Sequence, residues 1–210
     1  MNTSGKGLSF YPVANLESFN SFTDLPLSEE EAEARRIFFC ACSIAEKGLR
    51  VLPIALNKIP AIMNWPILAT TNKETLREWF LERRFPNVGI ETSDLLVFDL
   101  DIHPDRGIDG SERLNEIEVK NGFKLPPTLT ARSHSGGRHL FYKAPAEYAK
   151  YRFHSFVGQQ RGVPGLDGRS YHGNVVGHGS RGSNGYYEFT NDLDIAELPP
   201  EAIKLLWLGT

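Results

Sequence analysis

The sequence predicts an α+β fold with a mixed sheet, and three observations predict it. Segments of helical spacing alternate with short apolar strands in the first half of the chain. Strands separated by glycine turns follow in the second half, the pattern of hairpins. Between them lies Leu95–Leu100, whose continuously apolar opening suits a strand covered on both faces. Alternation followed by hairpins is the α+β pattern. With 210 residues, 40% of them hydrophobic and 23% charged, the chain is long enough to bury a sizeable core.

The elements read in order as follows. Residues 1–27 show no period and read as an irregular N-terminal arm. A helix opens at Ser28, with Glu31 three residues on as a capping box and an apolar stripe of Ile37, Phe38, Ala41, Ile44 and Ala45; Gly48 closes it. Leu49–Ile54 reads as a strand and Asn57–Pro66 as a loop carrying Lys58 and Trp65. Thr71 and Glu74 predict a second capping box before Leu76, Trp79 and Phe80 at helical spacing. Asn87–Ile90 is a short strand, and a helix runs from Ser111 to Asn121 with Gly122 as its stop. Thr128–Ser133 and His139–Lys143 are strands joined through Gly136-Gly137. Residues 158–185 hold nine of the 19 glycines around a short strand, Asn174–Val176. Tyr186–Phe189 reads as one further strand and Glu201–Leu208 as a terminal helix.

Composition excludes several classes. No apolar run approaches the ~20 residues that a membrane span requires, so no membrane partner is expected. Met1–Pro12 lacks the basic start and apolar stretch of a signal peptide, and a cytoplasmic location is expected. Cys40 and Cys42, two apart on a helix, point to nearly opposite faces and suit neither a disulfide nor shared metal ligation. Net charge is −3, but residues 131–185 carry eight basic and two acidic residues, a balance of +6 on an acidic chain. That distribution suits a local phosphate-binding surface, or an ordinary solvated loop region.

Three polar groups stand out. Asp99 and Asp101 end the buried strand, and residues two apart in a strand face one side. Carboxylates held so close repel, and a divalent cation is the usual compensation; oxygen ligands favour Mg²⁺ or Mn²⁺. Without metal, an Asn at either position is expected to leave the fold as stable as before or slightly more so. Asp105 and Asp109, in the loop that follows, read as turn and helix-cap residues. Ser135-Gly136-Gly137-Arg138-His139 offers close backbone N–H groups and two donor side chains to an anion. Gly165-Leu166-Asp167-Gly168-Arg169 puts a third acid and another cation in the basic segment. Read alone, this stretch is simply a turn. His172 and His178 lack the spacing of a zinc site.

Taken in order, these pieces resemble the bifunctional primase-polymerase domain of the archaeo-eukaryotic primase superfamily, found in plasmid and phage replication proteins. The likeness rests on Val97-Phe98-Asp99-Leu100-Asp101, on Ser135-Gly136-Gly137-Arg138-His139 with Leu140-Phe141-Tyr142, and on Gly165 to Arg169 followed by Val175-Val176 and Gly179-Ser180. Lys58-Ile59-Pro60 to Trp65 adds to it. It spans about residues 37 to 189. Two departures flank the motifs: Ser170-Tyr171-His172 stands where the family often has an acidic or Gly-rich turn, and His178 where it often has proline.

The resemblance implies an archaeo-eukaryotic primase-like fold, with an RNA-recognition-like catalytic sheet packed beside an N-terminal α/β module, over residues 28–210. It implies that Asp99, Asp101 and Asp167 are catalytic and bind Mg²⁺ or Mn²⁺. Ser135, Gly136, Gly137, Arg138, His139, Arg169 and Lys58 are then the nucleotide-binding residues. The expected partners are a single-stranded or primed DNA template, dNTP or NTP, and a fused or associated helicase. Two other readings of the same acids are a metal-dependent nuclease and a non-catalytic module that binds origin or single-stranded DNA.

Overall fold

The structure is a computed structural model that describes residues 27–209. The expected arm, residues 1–27, therefore lies outside the described residues except for Leu27. Helix α1 (Glu29–Glu46) starts as its sequence dictates. The Glu31 N–H donates to Ser28 Oγ at 3.2 Å, and the Ser28 N–H donates to the Glu31 carboxylate at 3.0 Å, so two donors that the helix cannot satisfy are paired. β1 (Val51–Ile54), α2 (Trp65–Leu68), α3 (Lys73–Arg77), a π-helical turn (Glu78–Glu82) and β2 (Asn87–Glu91) follow. The cap of α3 is Asn72 rather than Thr71. Thr70 is held in a bridge to Val51, and the helix starts only after the chain leaves it; Asn72 Oδ1 accepts from the Thr75 N–H at 3.0 Å.

β3 (Leu96–Leu100) leads into a small ribbon, β4 (Ile102–His103) and β5 (Ile108–Asp109). Asp109 caps α4 (Gly110–Asn121), accepting from the Ser111 and Glu112 N–H groups, and Gly122 ends it in the left-handed region. β6 (Thr130–Arg132) and β7 (Arg138–Lys143) form the expected hairpin. Then come β8 (Leu166–Arg169), β9 (Asn174–Val176), β10 (Arg181–Gly182), β11 (Gly185–Tyr186), β12 (Glu188–Phe189), β13 (Ala196–Glu197) and α5 (Pro200–Ala202), which continues as a π-helical turn to Leu208.

Two expectations are corrected here. Gly165–Arg169, which reads alone as a turn, is extended, because Leu166–Arg169 pairs along the whole inner part of β3. Tyr186–Phe189 is two strands, since Gly185–Tyr186 closes on Arg181–Gly182 while Glu188–Phe189 pairs with β6. Tyr187 is left between them.

The strands form two main sheets. The smaller, β1-β2-β9, is antiparallel, and its third strand comes from late in the chain. The larger runs β12-β6-β7-β3-β8, with β13 parallel to the end of β7. β3 is thus central, which explains its apolar residues. Leu96, Phe98 and Leu100 face one way, into a core completed by Leu114 of α4 and by Ile203, Leu206 and Trp207. Val97 faces the other way with Phe141 and Ala131, into a core shared with α1 and the smaller sheet. Burying whole side chains of this size is worth about 1.5–3 kcal/mol each. Period 2 then forces Asp99 onto the Val97 face, beyond the end of that apolar packing. Among the described residues no helix is long and apolar enough to cross a membrane.

Candidate active site

Strand pairing assembles the polar end of this face. Asp99 on β3 stands opposite His139 on β7 and opposite Asp167 on β8. Directly paired residues project to one side of a sheet, so the three side chains form a row across three strands. Asp101 keeps the same parity. Its backbone is pinned from both sides: its N–H donates to Gly165 O, and its carbonyl accepts from the Gly110 N–H, each at 2.8 Å. The close approach needs glycine, since a Cβ on Gly110 would lie 2.0 Å from Gly165 O.

The carboxylates are unequal. Asp99 Oδ1 lies 3.2 Å from His139 Nε2, and Asp99 Oδ2 lies 3.5 Å from Arg169 Nη2. Arg169 Nη2 also donates to Asp167 Oδ2 at 2.9 Å, and the other Asp167 oxygen accepts from the Gly158 N–H at 2.9 Å. Burial acts to raise the Asp99 carboxyl, but the charges and hydrogen bonds of His139 and Arg169 outweigh it and hold the group below the usual carboxylate range. Asp101 is pushed above that range, first by burial and then by the negative charges of Asp99 and Asp167.

The glycine turn lies against the end of β3. The Ser133 N–H donates to Gly137 O at 2.8 Å, Gly136 adopts φ +94°, and a Cβ on Gly137 would come within 2.4 Å of Leu100 O. Ser135 and Gly136 are exposed and Gly137 is buried. Lys58 reaches this turn from the N-terminal half: its Nζ donates to His134 Nε2 at 2.8 Å. His134 lies edge-on to Tyr187, and the Tyr187 ring in turn lies 5.8 Å from that of His139. Lys58 Nζ is 5.8 Å from the Tyr187 ring centre. The Tyr187 hydroxyl is pushed up to about 12 by burial and then by Asp99 and Asp101.

The structure therefore brings together Asp99, Asp101, Asp167, His139, Arg169, Lys58 and the Ser135–Gly137 turn. It does not bring Arg138. Strand alternation turns that side chain to the opposite face, where it lines a cavity of about 280 Å³ with Ser111, Asn115 and Leu140. Tyr187, His134 and the Gly158 N–H are parts of the site that the sequence alone did not expose. Tyr187 carries no motif, and its position depends on the break between β11 and β12.

Oxygen donors of this kind suit a hard divalent cation: Asp99 and Asp167 face each other across paired strands, and Asp101 lies near enough for their negative charges to raise its carboxyl. Among the described residues no three His, Cys, Asp or Glu side chains already form a coordination shell. Arg169 reaches both Asp99 and Asp167 and supplies positive charge between them.

A family model described as "Bifunctional DNA primase/polymerase, N-terminal" matches residues 41–201, which include every site residue above. No curated protein matches the chain.

Proposed function

Because the chain belongs to the bifunctional DNA primase/polymerase N-terminal family, we propose that it joins nucleotides on a DNA template, using Asp99, Asp101 and Asp167 to hold Mg²⁺ or Mn²⁺. The observation that carries this reading is the row of His139, Asp99 and Asp167 across three paired strands, with Asp101 beside it. When bound, the metal supplies a more acidic 3′-hydroxyl and neutralises the charge that develops on the α-phosphate and the departing pyrophosphate.

The chain's own groups bind and orient. The rigid sheet fixes the carboxylates, so little reorganisation accompanies reaction. The Ser135–Gly137 backbone, His139 and Lys58 receive the triphosphate of the incoming dNTP or NTP. Arg169 offsets the charge of Asp99 and Asp167 and is a further hydrogen-bond donor to phosphate. The expected setting is replication of plasmid or phage DNA, with a helicase fused or associated. The basic balance of residues 131–185 supports a template path over this half of the molecule.

The test is synthesis on unprimed and primed single-stranded DNA, with NTPs and dNTPs supplied separately, in Mg²⁺, Mn²⁺ and EDTA. Template-directed products that vanish in EDTA are expected. Shortening of the DNA instead of extension would identify a nuclease. DNA binding with no turnover and no response to metal would identify a non-catalytic module.

A further inference from the structure

β8 does not stop being useful at Arg169. Tyr171 follows two residues later, in a turn closed by the Gly173 N–H donating to Ser170 O at 2.7 Å. At this point aromatic and basic groups collect on the outer edge of the large sheet. The His172 ring lies 3.9 Å from the Tyr171 ring at 19°, a parallel stack. The Arg152 guanidinium sits 4.9 Å from the Tyr171 ring centre, and its Nη1 donates to the Tyr171 hydroxyl at 3.0 Å. His154 meets the same ring edge-on, and Tyr151 stacks on Phe153 at 5.9 Å. Apart from half-buried Tyr171 and buried Phe153, these side chains are exposed.

The backbone holds the stack in place. The Tyr171 N–H donates to Phe153 O at 3.0 Å, and the His172 N–H donates to Ser93 Oγ at 3.0 Å. His172 adopts φ +55°, a left-handed conformation that residues with a side chain rarely take. The two hydrogen bonds fix the turn that keeps its imidazole against Tyr171 and exposed to solvent.

We propose that Tyr171, His172 and Arg152 form a stacking platform for bases of a single-stranded DNA template leading to the acidic site. Planar rings accept any base, and a guanidinium adds cation–π attraction and a phosphate contact; sequence-tolerant single-strand binding uses this combination. Lys150 lies next to the platform in the sequence, in the segment with a +6 balance. The chain runs from Asp167 and Arg169 of β8 directly into Tyr171, which gives the bound DNA its direction. The proposal rests on the polymerase reading for its purpose, but not for its detection.

Binding of labelled oligothymidylate is compared with that of an abasic strand of equal length, on wild type and on the double variant Tyr171→Leu, His172→Asn. Asn tolerates the left-handed conformation, and melting temperature checks the fold. Wild type is expected to bind the thymidylate strand about tenfold or more tightly than the abasic one. The double variant should lose that preference, keep its affinity for the abasic strand and keep its KM for nucleotide. Equal binding of both strands by wild type, or a preference retained in the folded variant, overturns the platform. An Asp99→Asn variant separates the two ideas: it should retain the base preference while synthesis is lost. A base preference in a wild-type protein that synthesises nothing would overturn the polymerase reading alone.

Discussion

Asp99 and Asp167 are direct cross-strand partners, facing one another across β3 and β8. Like charges so placed repel, and the fold answers with Arg169, which donates to Asp167 at 2.9 Å and reaches Asp99 at 3.5 Å. Several expectations turn on this arrangement.

Asp99→Asn and Asp101→Asn should each reduce nucleotide transfer by several orders of magnitude if both hold metal. Their effects on stability should differ, which the sequence alone did not anticipate. Asp99 is held by His139 and Arg169, so its Asn variant should lose about 1–3 kcal/mol. Asp101 is pressed by like charges, so its Asn variant should be as stable as wild type in EDTA, or more stable. Melting in EDTA beside primer extension in Mn²⁺ measures both. Extension by either variant within about tenfold of wild type, a barrier change of only ~1.4 kcal/mol, would remove the catalytic assignment.

Arg169→Met should leave Asp99 and Asp167 facing each other without their shared cation. The Arg169 side chain is about a third exposed, so solvent screening keeps the loss below that of a fully buried pair, at roughly 1–3 kcal/mol. Mn²⁺ should restore much of the melting temperature in this variant and less in wild type. A variant that melts like wild type in EDTA contradicts the compensating role.

His139→Ala should lower kcat/KM for nucleotide by roughly 10²-fold or more. Affinity for single-stranded DNA should change little, because the base-stacking residues lie elsewhere on the sheet. Steady-state nucleotide kinetics and DNA binding on one preparation distinguish this from general loss of structure. Unchanged nucleotide kinetics would make His139 a structural partner of Asp99.

Gly137→Ala and Gly136→Ala should part company although they are neighbours. A Cβ at 137 would come within 2.4 Å of Leu100 O, so the turn or β3 must shift, at a cost of about 1–3 kcal/mol. A Cβ at 136 meets nothing within 4 Å but suffers from the positive φ, at about 1 kcal/mol. Melting curves rank the two, and equal losses would place the strain in the turn alone.

His178 gives a pH dependence with a definite sign. Burial lowers its pKa from 6.5, against the opposing charge of Glu188; its Nδ1 accepts from the Phe189 N–H at 3.3 Å and its ring stacks on Phe189. Above pH 6.5 both folded and unfolded chains hold it neutral. As pH falls below 6.5 the unfolded chain takes up the proton first, so stability declines. His178→Gln should flatten this decline relative to wild type, while His134, also lowered by burial and by Lys58, remains in both proteins. Parallel melting profiles from pH 7.5 to 5 would show that His178 does not contribute.

Sequence by itself determined what rests on local periodicity and chain stiffness. The Ser28–Glu31 cap, the buried strand that carries Asp99, the Asp109 cap and the glycine turn all follow from contacts within a few residues, and each stands where it was read. The shared side of Asp99 and Asp101 follows likewise from the pleat. Tertiary structure decided what depends on pairing between distant segments. Gly165–Arg169 becomes a strand only because β3 offers it an edge, and that register sets Asp167 against Asp99. Arg138 is lost from the site because hairpin register begins β7 at that residue and turns its side chain away from His139. Tyr187 enters between two strands that choose different partners. Lys58 arrives from a loop in the other half of the chain and reaches His134. Register between strands is set by which whole faces can be buried together, and no short stretch of sequence carries that information.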